Sequence, residues 1–114
     1  MQDSILRFLL ETQNSDGSWG YTPGKSGALE PTAYACLSLI GIPSANIKLQ
    51  KGIESIRTAQ SPEGGWAVNV SDNQPTSWAT ALAGFALLNV EGLIPASGLA
   101  ANFLVHAVEK TPRH

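Results

Sequence analysis

The segment Gln13-Asn14-Ser15-Asp16-Gly17-Ser18-Trp19 recurs as Gln60-Ser61-Pro62-Glu63-Gly64-Gly65-Trp66, 47 positions further on. In each copy a glutamine precedes a tryptophan by six positions, with an acidic residue and a glycine between them. A repeat of fixed length in this range implies a two-helix unit that stacks on copies of itself. At 114 residues the chain is expected to form one domain, residues 1–114.

The flanking patterns are helical. Ser4 to Thr12 follows Asp3, a good N-cap, and carries Ile5, Leu6, Phe8, Leu9 and Leu10 with Arg7 and Glu11 on the other face. Residues 13–29 read as a loop rich in Gly, Ser, Asn and Pro. A second helix is expected from Pro31 to Ile40, stopped by Gly41 and Pro43. A third starts near Ser44 or Asn46 and ends at Ala59, where Ile53 and Ile56 repeat Leu6 and Leu9. Gly52 inside it points to a close packing contact, because glycine costs about 1 kcal/mol against alanine in a helix. A fourth spans Pro75 to Leu88, and a fifth runs from about Ser97 to Glu109. The repeats are thus expected at about 4–40 and 46–89, with a partial third at 97–110. Pro31 and Pro75 lie 44 apart, which reads as a second loop three residues shorter and pairs Tyr34 with Trp78.

The first and third helices carry charge on one face and should lie outside. The second and fourth, read from Pro31 and Pro75, carry none and are rich in small residues, so they should be buried all round, Phe85 included. The expected architecture is all-α: a short α/α solenoid of two hairpins plus a fifth helix. Only 14% of residues are charged while 43% are hydrophobic. Such a surface has too few charges to cover itself and should meet a partner. With a net charge of −2 and no basic cluster, no nucleic-acid partner is expected. Cys36 is the single cysteine, which fits a reduced, cytoplasmic setting. Asp3, Arg7 and Glu11 would interrupt a signal peptide. The uncharged run from Asn73 to Val90 holds polar residues and reads as a buried helix, not a transmembrane segment.

The repeated motif has structural work to do. Gly17 and Gly64 supply backbone freedom at a sharp turn, and Asp16 and Glu63 can accept backbone hydrogen bonds there. Trp19 and Trp66 can plug the gap between hairpins. Gln13 and Gln60 can satisfy carbonyls at the end of the outer helix and bridge to the next repeat.

These motifs, each followed by Pro31-Thr32-Ala33-Tyr34-Ala35 or Pro75-Thr76-Ser77-Trp78-Ala79, resemble the repeat of squalene and terpenoid cyclases and of protein prenyltransferase β subunits. The resemblance covers about Ser4 to Leu88. It implies a partial α/α toroid whose inner helices line an apolar cavity, with Tyr34 and Trp78 as candidate ligand contacts. In the cyclases an Asp-x-Asp-Asp-Thr motif protonates an alkene, and Glu30 falls on its central acid, making Glu30 the candidate catalytic residue. The flanking acids are absent, and Gln74 stands at the corresponding place 44 positions on. The prenyltransferase zinc pattern Asp-x-Cys is absent before Cys36, and His106 and His114 have no ligand at metal spacing, so no metal or cofactor is expected. The Cys-Gly-Glu-Gln motif of thioester-bearing complement domains is absent too.

The resulting expectation is a repeat module without a complete active site, binding an apolar, isoprenoid-like ligand or a protein partner. The alternative is a fragment of a terpene cyclase or prenyltransferase with Glu30 in the acid position. A homo-oligomer, or the remainder of a longer chain, would cover the apolar surface.

Overall fold

The computed structural model describes residues 3–70 and 74–89. They form four α-helices: α1 (Asp3–Thr12), α2 (Leu29–Leu39), α3 (Asn46–Ala59) and α4 (Ser77–Leu88). A short 3-10 turn, Pro43–Ala45, leads into α3. Among the described residues there is no strand, and two isolated bridges, Ala28 with Asn69 and Trp66 with Thr76, are the β-type pairings found. The fold is all-α. The fifth helix and the partial third repeat expected at 97–110 lie outside the described residues.

Local chemistry sets the helix limits, and two differ from expectation. α2 opens at Leu29, so Pro31 is its third residue and Glu30 belongs to its first turn. Proline is tolerated there because the first N–H groups of a helix have no intrahelical partner. Behind α2, Ile40 is extended and Gly41 takes a φ of +82°. α4 opens at Ser77 rather than Pro75. Thr76 caps it, its hydroxyl accepting from Ala79 N–H at 3.2 Å.

The core is built between the layers. α2 packs against both α3 and α4. Trp19, Leu29, Cys36, Leu39, Ile56 and Trp66 are buried at its centre. Leu6, Leu9 and Leu10 of α1 pack half-buried against it, leaving Ile5 and Phe8 exposed. Gly52 lets α3 pack close against Cys36 of α2 and against Trp19. A Cβ there would lie 2.7 Å from Cys36 Sγ and 2.9 Å from Trp19 Cζ3.

The inner helices are not buried all round. α2 exposes Tyr34, and α4 exposes Trp78, Phe85 and Leu88. Phe85 is therefore not a core residue: it is 57% exposed. Small residues do fill the opposite side, where Ala79, Ala83, Gly84 and Ala86 are buried.

Candidate functional site

The two motifs place the inner helices through matching bonds. Trp19 donates its indole N–H to Leu9 C=O at 2.9 Å, and Trp66 donates to Ile56 C=O at 2.7 Å. Each indole thus satisfies one of the last carbonyls of an outer helix. The main-chain N–H of Trp19 donates to Thr32 Oγ1 at 2.9 Å, and that of Trp66 to Thr80 Oγ1 at 2.8 Å. The two threonine hydroxyls donate onward to Ala28 C=O and Thr76 C=O, both at 2.7 Å. Each tryptophan therefore ties the end of one helix to the start of the next.

The glutamines act on the turn and on the neighbouring repeat. Gln13 Nε2 donates to Gly17 C=O at 2.9 Å and to Lys48 C=O of α3 at 2.8 Å. Gln60 Nε2 donates to Gly64 C=O at 3.2 Å. The helix-end carbonyls expected to be their targets are met by the indoles instead. Gly17 and Gly64 have φ of +91° and +98°, in the left-handed region. Asp16 accepts from Ser18 N–H at 2.9 Å, whereas in the second turn the Ser61 hydroxyl accepts from Gly65 N–H at 3.0 Å.

These bonds correct the register of the inner helices. The threonines that accept from the tryptophan amides are Thr32 and Thr80, 48 positions apart, and the helices begin at Leu29 and Ser77, also 48 apart. The span from tryptophan to threonine is 13 residues in the first copy and 14 in the second, so the second loop is one residue longer, not three shorter. The recurrence of Pro-Thr 44 positions apart is one helical turn out of step. In the true register Glu30 corresponds to Trp78, Tyr34 to Leu82, and Gly27 to Pro75.

Glu30 is half-buried in the first turn of α2, where the helix dipole favours a carboxylate. Partial shielding from water, then the nearby Glu30 carboxylate, holds the Tyr21 hydroxyl above its ordinary pKa. Tyr21 sits in the loop before α2, and sequence reading passed over it. An aromatic residue two places after a buried tryptophan was the available signal. No acid flanks Glu30, since Leu29 and Pro31 are its neighbours, and its counterpart in the second repeat is an indole. Among the described residues no group of three or more His, Cys, Asp or Glu side chains could hold a metal ion.

Tyr34 lies one turn beyond Glu30 on α2 and is 55% exposed; Trp78 and Phe85 lie two turns apart on α4 and are 49% and 57% exposed. Both helices open at the same end of the molecule, where Leu29 N–H donates to Val68 C=O at 2.7 Å. These two helices leave Tyr34, Trp78 and Phe85 exposed, and Glu30 is half-buried in the first turn of α2. A hollow of about 140 Å³ beside α1, lined by Phe8, Trp19, Tyr21, Pro23 and Pro31, is small next to the ~300 Å³ where ligand pockets begin.

Comparison with known proteins finds similarity over part of the chain. No family model matches the chain, and no solved structure does. Over 63 residues, 53% of the chain, it is 38% identical to a drimenyl diphosphate synthase of Streptantibioticus cattleyicolor. Over 51 residues, 42% of the chain, it is 45% identical to a terpene cyclase-glycosyl transferase fusion protein of Humicola fuscoatra. The matched segments span 11% and 4% of those relatives' lengths. The chain thus shares distant, partial similarity with terpene synthases and cyclases. No helix among the described residues is long and apolar enough to cross a membrane.

Proposed function

We propose that this chain is a terpenoid cyclase-like repeat module, built as part of an α/α toroid, whose inner helices bind an apolar, isoprenoid-like ligand. The observation that carries this reading is the aromatic surface of Tyr34, Trp78 and Phe85, left open on helices whose other sides are packed. Aromatic faces offer such a ligand both apolar area and π contact. Similarity to terpene cyclases supports the same chemistry for the ligand.

Trp78 provides the readout, because Trp19 and Trp66 are buried and Trp78 is half-exposed. Titration of the protein with farnesol, farnesyl diphosphate and micellar squalene should shift tryptophan emission to the blue in a saturable way, and Trp78→Phe should abolish the shift. No shift with any of the three sinks the ligand reading. Blue-shifted Trp78 emission in the free protein, with a mass above that of one chain, assigns the surface to a protein partner instead.

A second reading gives Glu30 the role of acid in a cyclase or prenyltransferase. It is favoured by the place of Glu30 in the first turn of an inner helix that also exposes Tyr34. It is disfavoured by the lack of a neighbouring carboxylate to hold a proton on it. Turnover of squalene or a prenyl diphosphate that disappears in Glu30→Gln would establish it; equal turnover in both proteins removes it.

A further inference from the structure

The two repeats join along a short edge. Leu29 N–H donates to Val68 C=O at 2.7 Å, and Val70 N–H donates to Gly27 C=O at 3.2 Å. This pair of bonds flanks the bridge between Ala28 and Asn69. By the 47-residue register of the tryptophans, the first-repeat counterparts of Val68, Asn69 and Val70 are Tyr21, Thr22 and Pro23. All three are exposed. On the far side of the second repeat, the counterparts of Gly27 and Leu29 are Pro75 and Ser77, which keep the required carbonyl and N–H.

The two edges are therefore complementary in all but one atom. A second copy of this chain, docking head to tail, would donate Ser77 N–H to Tyr21 C=O. The reciprocal bond needs an N–H at residue 23, and proline has none. Natural sheets use proline on edges in this way to prevent edge-to-edge association. The neighbouring backbone is also engaged locally, since Lys25 N–H donates to Thr22 C=O at 3.2 Å and Asn14 Nδ2 to Lys25 C=O at 2.9 Å.

We infer that Pro23 closes the Tyr21–Pro23 edge to a second copy of this chain, so that copies do not extend the stack through the bridge that joins its own two repeats. The inference is independent of what the aromatic surface binds. It needs only the register of the repeats and the missing N–H.

Cross-linking tests it. Thr22→Cys in one preparation and Ser77→Cys in another place thiols on the two edges, and Cys36 is buried. Mixed disulfide formation is compared with that of Thr22→Cys and a Gln50→Cys protein, whose thiol lies on the exposed side of α3. With Pro23 in place, the edge pair should react no faster than the control pair. Replacing Pro23 by Val or by Ala restores the N–H. Either change should raise the edge rate on the order of fivefold, the worth of one net hydrogen bond. Circular dichroism checks that each variant keeps its helices; because residue 23 lies in an exposed loop, at least one of the two should. An edge rate above control with Pro23 present, or equal rates in folded variants with and without it, overturns the inference.

Discussion

At the scale of single residues, stability rests on a few buried polar contacts that have no substitute. Among the described residues, every buried side-chain nitrogen and oxygen has a hydrogen-bond partner. Trp66→Phe would strip Ile56 C=O of its donor inside the core, and should cost about 1–3 kcal/mol in urea denaturation. Gly52→Ala should cost about 1–3 kcal/mol through overpacking, because its new methyl group meets Cys36 and Trp19. Cys36→Ala in the same chain should recover part of that loss, a coupling that a double-mutant cycle measures. The Cys36 thiol is pushed up from 9.0 to about 12 by burial. Its folded-state pKa lies above the unfolded value, so its contribution is fully present below pH 9 and is lost as pH rises toward 12. Denaturation midpoints should show this as a decline that begins near pH 9 and is smaller in Cys36→Ala.

At the scale of elements, the threonine at the start of each inner helix decides where that helix sits. Thr32→Val or Thr80→Val keeps the shape of the side chain and leaves a buried tryptophan amide without an acceptor. Each should destabilise the protein by about 1–3 kcal/mol, as thermal or urea unfolding would show. The helical nature of these segments was legible in sequence, and α3 falls within the limits its pattern implies. The pairing of the inner helices was not. A slip of four residues is close to one helical turn, so it leaves small residues on the same face and the hydrophobic pattern unchanged. The Pro-Thr dipeptide, recurring 44 positions apart, favoured the wrong choice. The bonded threonines distinguish the two registers, and side-chain bonds do not show in periodicity. For the same reason Glu30 was matched to Gln74 rather than to Trp78.

At the scale of the molecule, the repeats are coupled by the packing of α2 against α3 and α4 and by a few polar bonds. The Gln13 amide spans from the first turn to Lys48, and the bridge at Ala28 adds two main-chain bonds. Repeat arrays are stabilised by each unit and by its interface with its neighbour. Gln13→Ala should weaken that interface. Hydrogen exchange should then speed up in α1 more than in α3, whereas a uniform change along the chain would show that the amide acts only on its own turn. The apolar surface was expected from the scarcity of charge. Its place on the inner helices was expected only through the resemblance, which named Tyr34 and Trp78; Phe85 was read as core and is exposed. The second loop carries its extra residue without disturbing either the tryptophan bonds or the threonine bonds at its ends. Its counterpart in the first repeat passes through Gly24, around which a side chain would find open space. A tag or epitope spliced in at that turn should leave the melting temperature nearly unchanged, giving the protein a handle that displaces no packed side chain.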